Sequence, residues 1–131
     1  MAKAVAKTVI QTSNAPEAVG PYSQATSANG LVFCSGQIAL TPEGDDRTGD
    51  SIAEQTRRCL TNLAAVLAEA GTGLDNVVKV TAFLTDMGDF PEFNEAYAEF
   101  FTGAVPARAT VGVAALPKGA KVEVECIALS A

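Results

Sequence analysis

Across residues 50–70 the apolar positions recur at helical spacing: Ile52, Cys59, Leu60, Leu63, Leu67 and Ala70, with Thr56 in the same stripe. Ser51 and Glu54 stand at the spacing of a capping box at its head, and Gly71 supplies a stop. Glu54, Arg57, Arg58 and Glu69 fall off the stripe, on the side expected to meet water. A second helix is predicted over 90–102. Asp89 would cap it, with Glu92 three places on. Phe90, Phe93, Tyr97, Phe100 and Phe101 would form its apolar face, and Gly103 would close it. The other apolar runs read as strands, at 5–11, 22–27, 31–37, 77–84, 110–116 and 121–129. Ala28-Asn29-Gly30 joins two of them, and its Asn-Gly pair is a hairpin signal.

This order predicts an α+β fold, with the strands at 77–84 and 110–116 parallel because a helix joins them. Alternation then assigns faces. Val78, Val80, Ala82 and Leu84 share one side of their strand, and Val77, Lys79, Thr81 and Phe83 the other. In the last strand Val122, Val124, Cys126 and Ala128 oppose Glu123, Glu125, Ile127 and Leu129. Strands apolar on both sides require cover on both sides, and two helices cover only one. A homo-oligomer that meets through the helix-free face answers this; a twisted sheet that partly closes on itself is the other solution.

The length of 131 residues fits one domain over 1–131, and a 48% hydrophobic chain can build a core. With 9 basic against 15 acidic residues, the net charge of -6 gives no general attraction to nucleic acid or an anionic membrane. No apolar run is long enough to span a bilayer, and the opening MAKAVAKTVI lacks the apolar stretch and cleavage site of a secretory signal. Cys34, Cys59 and Cys126 are odd in number and widely spaced, which fits the reducing cytoplasm better than a disulfide framework. The chain has no histidine. That removes Ser-His and Cys-His pairs, HExxH zinc sites and imidazole proton shuttles. Catalysis would fall to carboxylates, Arg, Lys, Tyr, hydroxyls, thiols or the backbone.

Arg108 stands in V-P-A-R-A-T-V, where a loop enters an apolar strand. There a planar guanidinium can grip a carboxylate or phosphate, or form a surface or interface ion pair. Glu123 lies inside the last strand on the side assigned to subunit contacts. It can hold a water as a general base or join an interfacial salt bridge. Gly20-Pro21-Tyr22 fixes a bend and then offers a phenol, and Ser35-Gly36 interrupts an apolar strand. Each is equally a ligand-approach point or an ordinary turn or bulge. Cys34, with no histidine to activate it, reads as a small buried hydrophobe. Gly71-Thr72-Gly73 follows a helix rather than a strand, so it is not a dinucleotide fingerprint.

Taken together and in this order, these clusters resemble the RidA/YjgF family of small trimeric imine deaminases, formerly described as endoribonucleases. The resemblance rests on G-P-Y-S-Q-A at 20–25, S-G-Q-I at 35–38, F-N-E-A-Y at 93–97, P-A-R with V-x-x-L-P over 106–117, and V-E-V-E at 122–125. It implies a chorismate-mutase-like subunit, a mixed sheet with two helices on one face, assembled as a homotrimer with sites between neighbours. It further implies that Arg108 binds the substrate carboxylate and Glu123 positions water. Tyr22, Ser35, Gly36, Asn94 and Thr110 would line the pocket and bind substrate with Arg108. The implied reaction converts 2-imino acids such as 2-iminobutanoate and 2-iminopropanoate, or their enamines, to 2-keto acids and ammonia, without cofactor or metal. Two departures stand out. Thr110 occupies a position often cysteine in the family, which argues against a required thiol, and the loop 103–106 is short, which bears on substrate access.

The resemblance also carries a geometric expectation. Arg108 and Glu123 should lie roughly 15 Å apart along the sheet of one subunit, so one small substrate would need Arg108 of one chain facing Glu123 of another. Two other readings compete: a non-catalytic trimer that binds small carboxylates, and RNA cleavage. The acidic balance and the lack of a basic-aromatic strand platform weigh against the second.

Overall fold

The computed structural model describes residues 6–131. The start of the first expected strand, at Val5, and the first half of the opening decapeptide lie outside them. Among the described residues one mixed sheet of six strands forms: β1 (Thr8–Ile10), β2 (Ala25–Ala28), β3 (Leu31–Gln37), β4 (Val77–Leu84), β5 (Ala107–Gly112) and β6 (Val122–Leu129), in the order β1-β2-β3-β6-β4-β5. The β4–β5 pair is parallel, as a helical connection requires, and the other pairs are antiparallel. Helices α1 (Ile52–Glu69) and α2 (Phe90–Ala98) pack on each other, and α1 packs on β3 and β6.

The local signals act as physics predicts where they are self-contained. Asn29 and Gly30 turn the β2–β3 hairpin with φ of 50° and 80°. Ser51 accepts the Glu54 amide at 3.2 Å and so caps α1, while the Glu54 carboxylate pairs with Arg57 instead of completing a capping box. At the other end Gly71, at φ 83°, donates to the Ala68 carbonyl and Thr72 donates to that of Leu67, the paired bonds of a Schellman stop.

Three expectations need correction. First, α2 ends at Ala98, not 102, because Glu99 and Phe100 donate to carbonyls only three residues back and tighten the last turn. Asp89 makes no cap bond. Asp86 caps the preceding short turn by accepting from Gly88, and Glu92 reaches across to accept the Ala53 amide of α1. Second, β4 carries a bulge between Val77 and Lys79, so Val77 is buried and Val78 exposed, the reverse of simple alternation. Third, β5 begins at Ala107 and ends at Gly112, which puts Arg108 inside the strand rather than in its entry loop.

Below the helices, Val80, Ala82, Leu84, Val122, Val124, Cys126, Ala128 and Val32 join Leu60, Leu63, Leu67 and Phe93 in one core. Two buried amides in α1 interrupt its apolar stripe, and each ties the helix to a loop. Gln55 donates to the carbonyls of Thr48 and Asp50 and accepts from Lys121, and Asn62 donates to Leu40. Among the described residues no helix covers the opposite sheet face. On it run cross-strand rows Phe33–Ile127–Lys79–Ala107, Glu125–Thr81–Ala109 and Glu123–Phe83–Val111, with Phe33, Val111 and Leu129 exposed.

Candidate functional site

The open face and the helix-covered face each hold part of the expected site. Glu123 is in register with Phe83 on β4 and faces the open side. Its carboxylate lies over the backbone of Gly36. A Cβ added at Gly36 would stand 2.6 Å from its Oε2 and 2.8 Å from its Cδ. The reason is local. Between the pairs Cys34–Cys126 and Gln37–Val124 the register of β3 slips, so Ser35 and Gly36 form a bulge, and the residue without a side chain makes room for the acid. Burial first, and then the like charge of Glu125, raise the Glu123 carboxyl above its usual range.

Ser35 holds the loop beside it. Its hydroxyl donates to the Ser23 carbonyl at 2.6 Å and its amide donates to that of Gln24. The buried Gln24 side chain accepts the Thr12 amide at 2.7 Å and donates to the Thr12 and Pro16 carbonyls, pinning the segment that leads into Tyr22. Tyr22, half exposed, lines with Gly36, Lys118 and Glu123 a cavity of about 110 Å³. A second cavity among the described residues, about 680 Å³, lies between β1 and the segment that follows it. Among the described residues its lining includes Tyr22 and the carboxylate of Glu17 but neither Arg108 nor Glu123.

Arg108 leaves the sheet on the other side. It is in register with Val80, which is fully buried under the helices, and residues directly opposed in a sheet share a face. Its guanidinium reaches α2, where Cζ stands 4.6 Å from the ring centroid of Tyr97. Among the described residues no carboxylate pairs with it. Thr110, two residues on, points to the same side, and its Oγ1 is buried without a hydrogen-bond partner. Asn94 is half-buried on α2, four residues from Phe90 and three from Tyr97.

The seven positions therefore form two groups: Tyr22, Ser35, Gly36 and Glu123 about the β3 bulge, and Arg108, Thr110 and α2 with Asn94 at the β5 edge. Arg108 and Glu123 differ by three residues along β4 and two strand spacings across it. That is roughly 14 Å between Cα atoms, on opposite faces. The two groups do not converge within one chain. In the sequence Tyr97 is marked only as part of the apolar face of its helix. The buried, unpartnered hydroxyl that distinguishes it from Phe93 becomes visible only in the packed structure.

Comparison with known proteins matches residues 12–130 to the family described as Endoribonuclease L-PSP. The chain is 47% identical over 127 residues to the Arabidopsis thaliana protein named Reactive Intermediate Deaminase A, chloroplastic, covering 97% of this chain and 68% of that one. It is 43% identical over 125 residues to the Mus musculus 2-iminobutanoate/2-iminopropanoate deaminase, covering 95% and 93%. The crystal structure of yeast Mmf1 superposes with a TM-score of 0.91 at 44% identity, covering 95% of this chain and 98% of that one.

Proposed function

Given that the chain belongs to the RidA/YjgF family, whose matching description is Endoribonuclease L-PSP, we propose that it hydrolyses 2-imino acids to 2-keto acids and ammonia at sites shared between neighbouring copies. The observation that carries this reading is the Arg108 guanidinium, half-buried and without a carboxylate partner among the described residues, in a chain that has no histidine. A guanidinium in that state is prepared for a planar anion. The deaminase names of relatives at 47% and 43% identity support the choice of imino acids.

The chemistry suits these residues. A protonated imine carbon is already electrophilic, so the protein must hold the substrate and direct one water. Arg108 grips the carboxylate through two charge-assisted hydrogen bonds. Glu123 accepts a proton as the water oxygen attacks the imine carbon, then returns it to nitrogen. As the C–N bond breaks, the Glu123 carboxylate takes the remaining hydroxyl proton, the carbonyl forms and ammonia leaves with that proton as ammonium. The elevated affinity of Glu123 for its proton moves it toward the strength a general base needs near neutrality.

The placement of the two groups supports a site built between copies. The Arg108 and Glu123 groups lie on different patches of the surface, so copies that join them meet head to tail, and such contacts form a ring when the rotation between copies closes. A trimer in which the β5 edge of one copy, with Arg108, abuts the helix-free face of the next would bring the two together and cover Phe33, Val111 and Leu129. Three buried, unbridged cysteines, with Cys34 directly across from Cys126, suit a reducing compartment such as the cytoplasm. No helix among the described residues is long and apolar enough to cross a membrane.

Incubation with 2-iminobutanoate generated in place should release ammonia and 2-oxobutanoate well above the buffer rate. Binding of 2-oxobutanoate without turnover would leave a carboxylate-binding protein instead. Gly36→Ala should lower kcat by about tenfold to 10²-fold, because the added methyl displaces the Glu123 carboxylate. The obstructing atoms belong to a flexible side chain, so the melting temperature should hold. Unchanged kcat in steady-state assays would remove Glu123 from that position.

A further inference from the structure

Arg108 reaches α2 across a wall of three aromatic rings. Its Cζ lies 4.6 Å from the Tyr97 centroid, 5.5 Å from that of Phe93 and 5.7 Å from that of Phe90, all within the range where a ring attracts a cation. Positions 90, 93 and 97 share one face of the helix. Tyr97 is the nearest ring and is itself immobilised: it is only 7% exposed, with Phe93 at 5.5 Å and Phe101 at 4.6 Å. Among the described residues its buried hydroxyl has no hydrogen-bond partner, a cost that protein interiors rarely leave standing.

We propose that Tyr97, with Phe90 beside it, is a positioning residue that holds the Arg108 guanidinium ready for the substrate carboxylate. This deepens the reading of Arg108 as a carboxylate clamp and rests on it. An arginine has a long, rotamer-rich stem, and freezing that stem when an anion arrives weakens binding. Rings that attract the guanidinium before the anion arrives remove part of that loss. They compete for none of its N–H groups, whereas a carboxylate neighbour would occupy the same donors the substrate needs. The ring carries most of the effect, because all three contacts are made through aromatic faces and two of them through phenylalanine.

The test measures KM and kcat for 2-iminobutanoate, and the Kd of 2-oxobutanoate and of its uncharged amide. Tyr97→Leu should raise KM and the Kd of the acid by about tenfold while kcat moves less than about threefold. The amide should bind as it does to the unaltered protein. Tyr97→Phe keeps the ring and should restore acid binding to within about threefold. Should Tyr97→Leu fail to fold, Phe90→Leu, at a half-buried first-turn position, is expected to weaken the acid by about threefold and to spare the amide. Equal weakening of acid and amide would mean a general packing defect and overturn the proposal. So would unaltered acid binding in Tyr97→Leu and Phe90→Leu while Arg108→Ala loses it, a result that leaves the clamp standing. Normal acid binding by Arg108→Ala would instead remove the clamp itself.

Discussion

Arg108→Ala is expected to lower kcat/KM for 2-iminobutanoate by about 10²–10⁴-fold, the worth of two hydrogen bonds between charged groups. The protein should stay folded. Arg108 lies on the edge strand β5, half-buried and outside the core cluster, and Phe93, Tyr97 and Phe101 still pack on one another without it. Loss of its ring contacts costs about 0.5–1 kcal/mol, to be read by thermal melting. Arg108→Lys keeps the charge but loses the planar fork, and should recover little of the rate. The same variant tests where the site is built. If Arg108 and Glu123 of different copies meet, a subunit lacking the arginine and one lacking the glutamate complement each other. Each mixed trimer then contains one intact site. Subunits exchanged in equal amounts should regain about a quarter of the original activity, although each variant alone is nearly inactive. No recovery after verified exchange would place both groups in one chain's site, against their disposition on opposite faces.

The degree to which sequence anticipated this arrangement depends on how local each cause is. Helix α1 and strands β3 and β4 were legible because their determinants lie within them: a cap at Ser51, a glycine at 71 that adopts positive φ, and apolar runs of strand length. The extent of β5 was not, because its first residues are ordered by a parallel partner; Ala107 is a strand residue only because Lys79 lies across from it. The bulge at Val78 likewise depends on the register of β6, which no window of β4 contains. Burial of Gln55 and Asn62 was hidden for a related reason. Each satisfies loop carbonyls distant in sequence, and a polar side chain in a helical stripe shows no sign of that partner. Within the site, alternation correctly put Glu123 on the helix-free side, and the Ser35-Gly36 interruption proved to be a bulge with the acid lying over it. The face of Arg108 required the β4–β5 register, and the significance of Tyr97 required the packed helix.

Glu123→Gln should reduce kcat by about 10²–10⁴-fold, since it keeps the size of the group and removes the base. Its pH behaviour distinguishes loss of a base from loss of shape. Burial and the neighbouring Glu125 raise the carboxyl of Glu123, so the unaltered protein should lose activity as pH falls through a value above the ordinary carboxylate range. That acid limb should vanish from the residual activity of the variant. Stability should move in the opposite direction. A carboxyl whose affinity for its proton is higher in the folded chain than in the unfolded one favours folding fully below the unfolded value. That contribution disappears as pH rises through the folded value. At neutral pH the ionised Glu123 is therefore a liability to the fold, half-buried beside a like charge. Melting curves should show Glu123→Gln more stable than the unaltered protein at pH 7 to 8, with the difference shrinking as the solution is acidified. A variant both slower and more stable identifies a carboxylate retained for chemistry at a cost to folding, whereas an interfacial salt bridge would lose stability and subunit association on the same substitution.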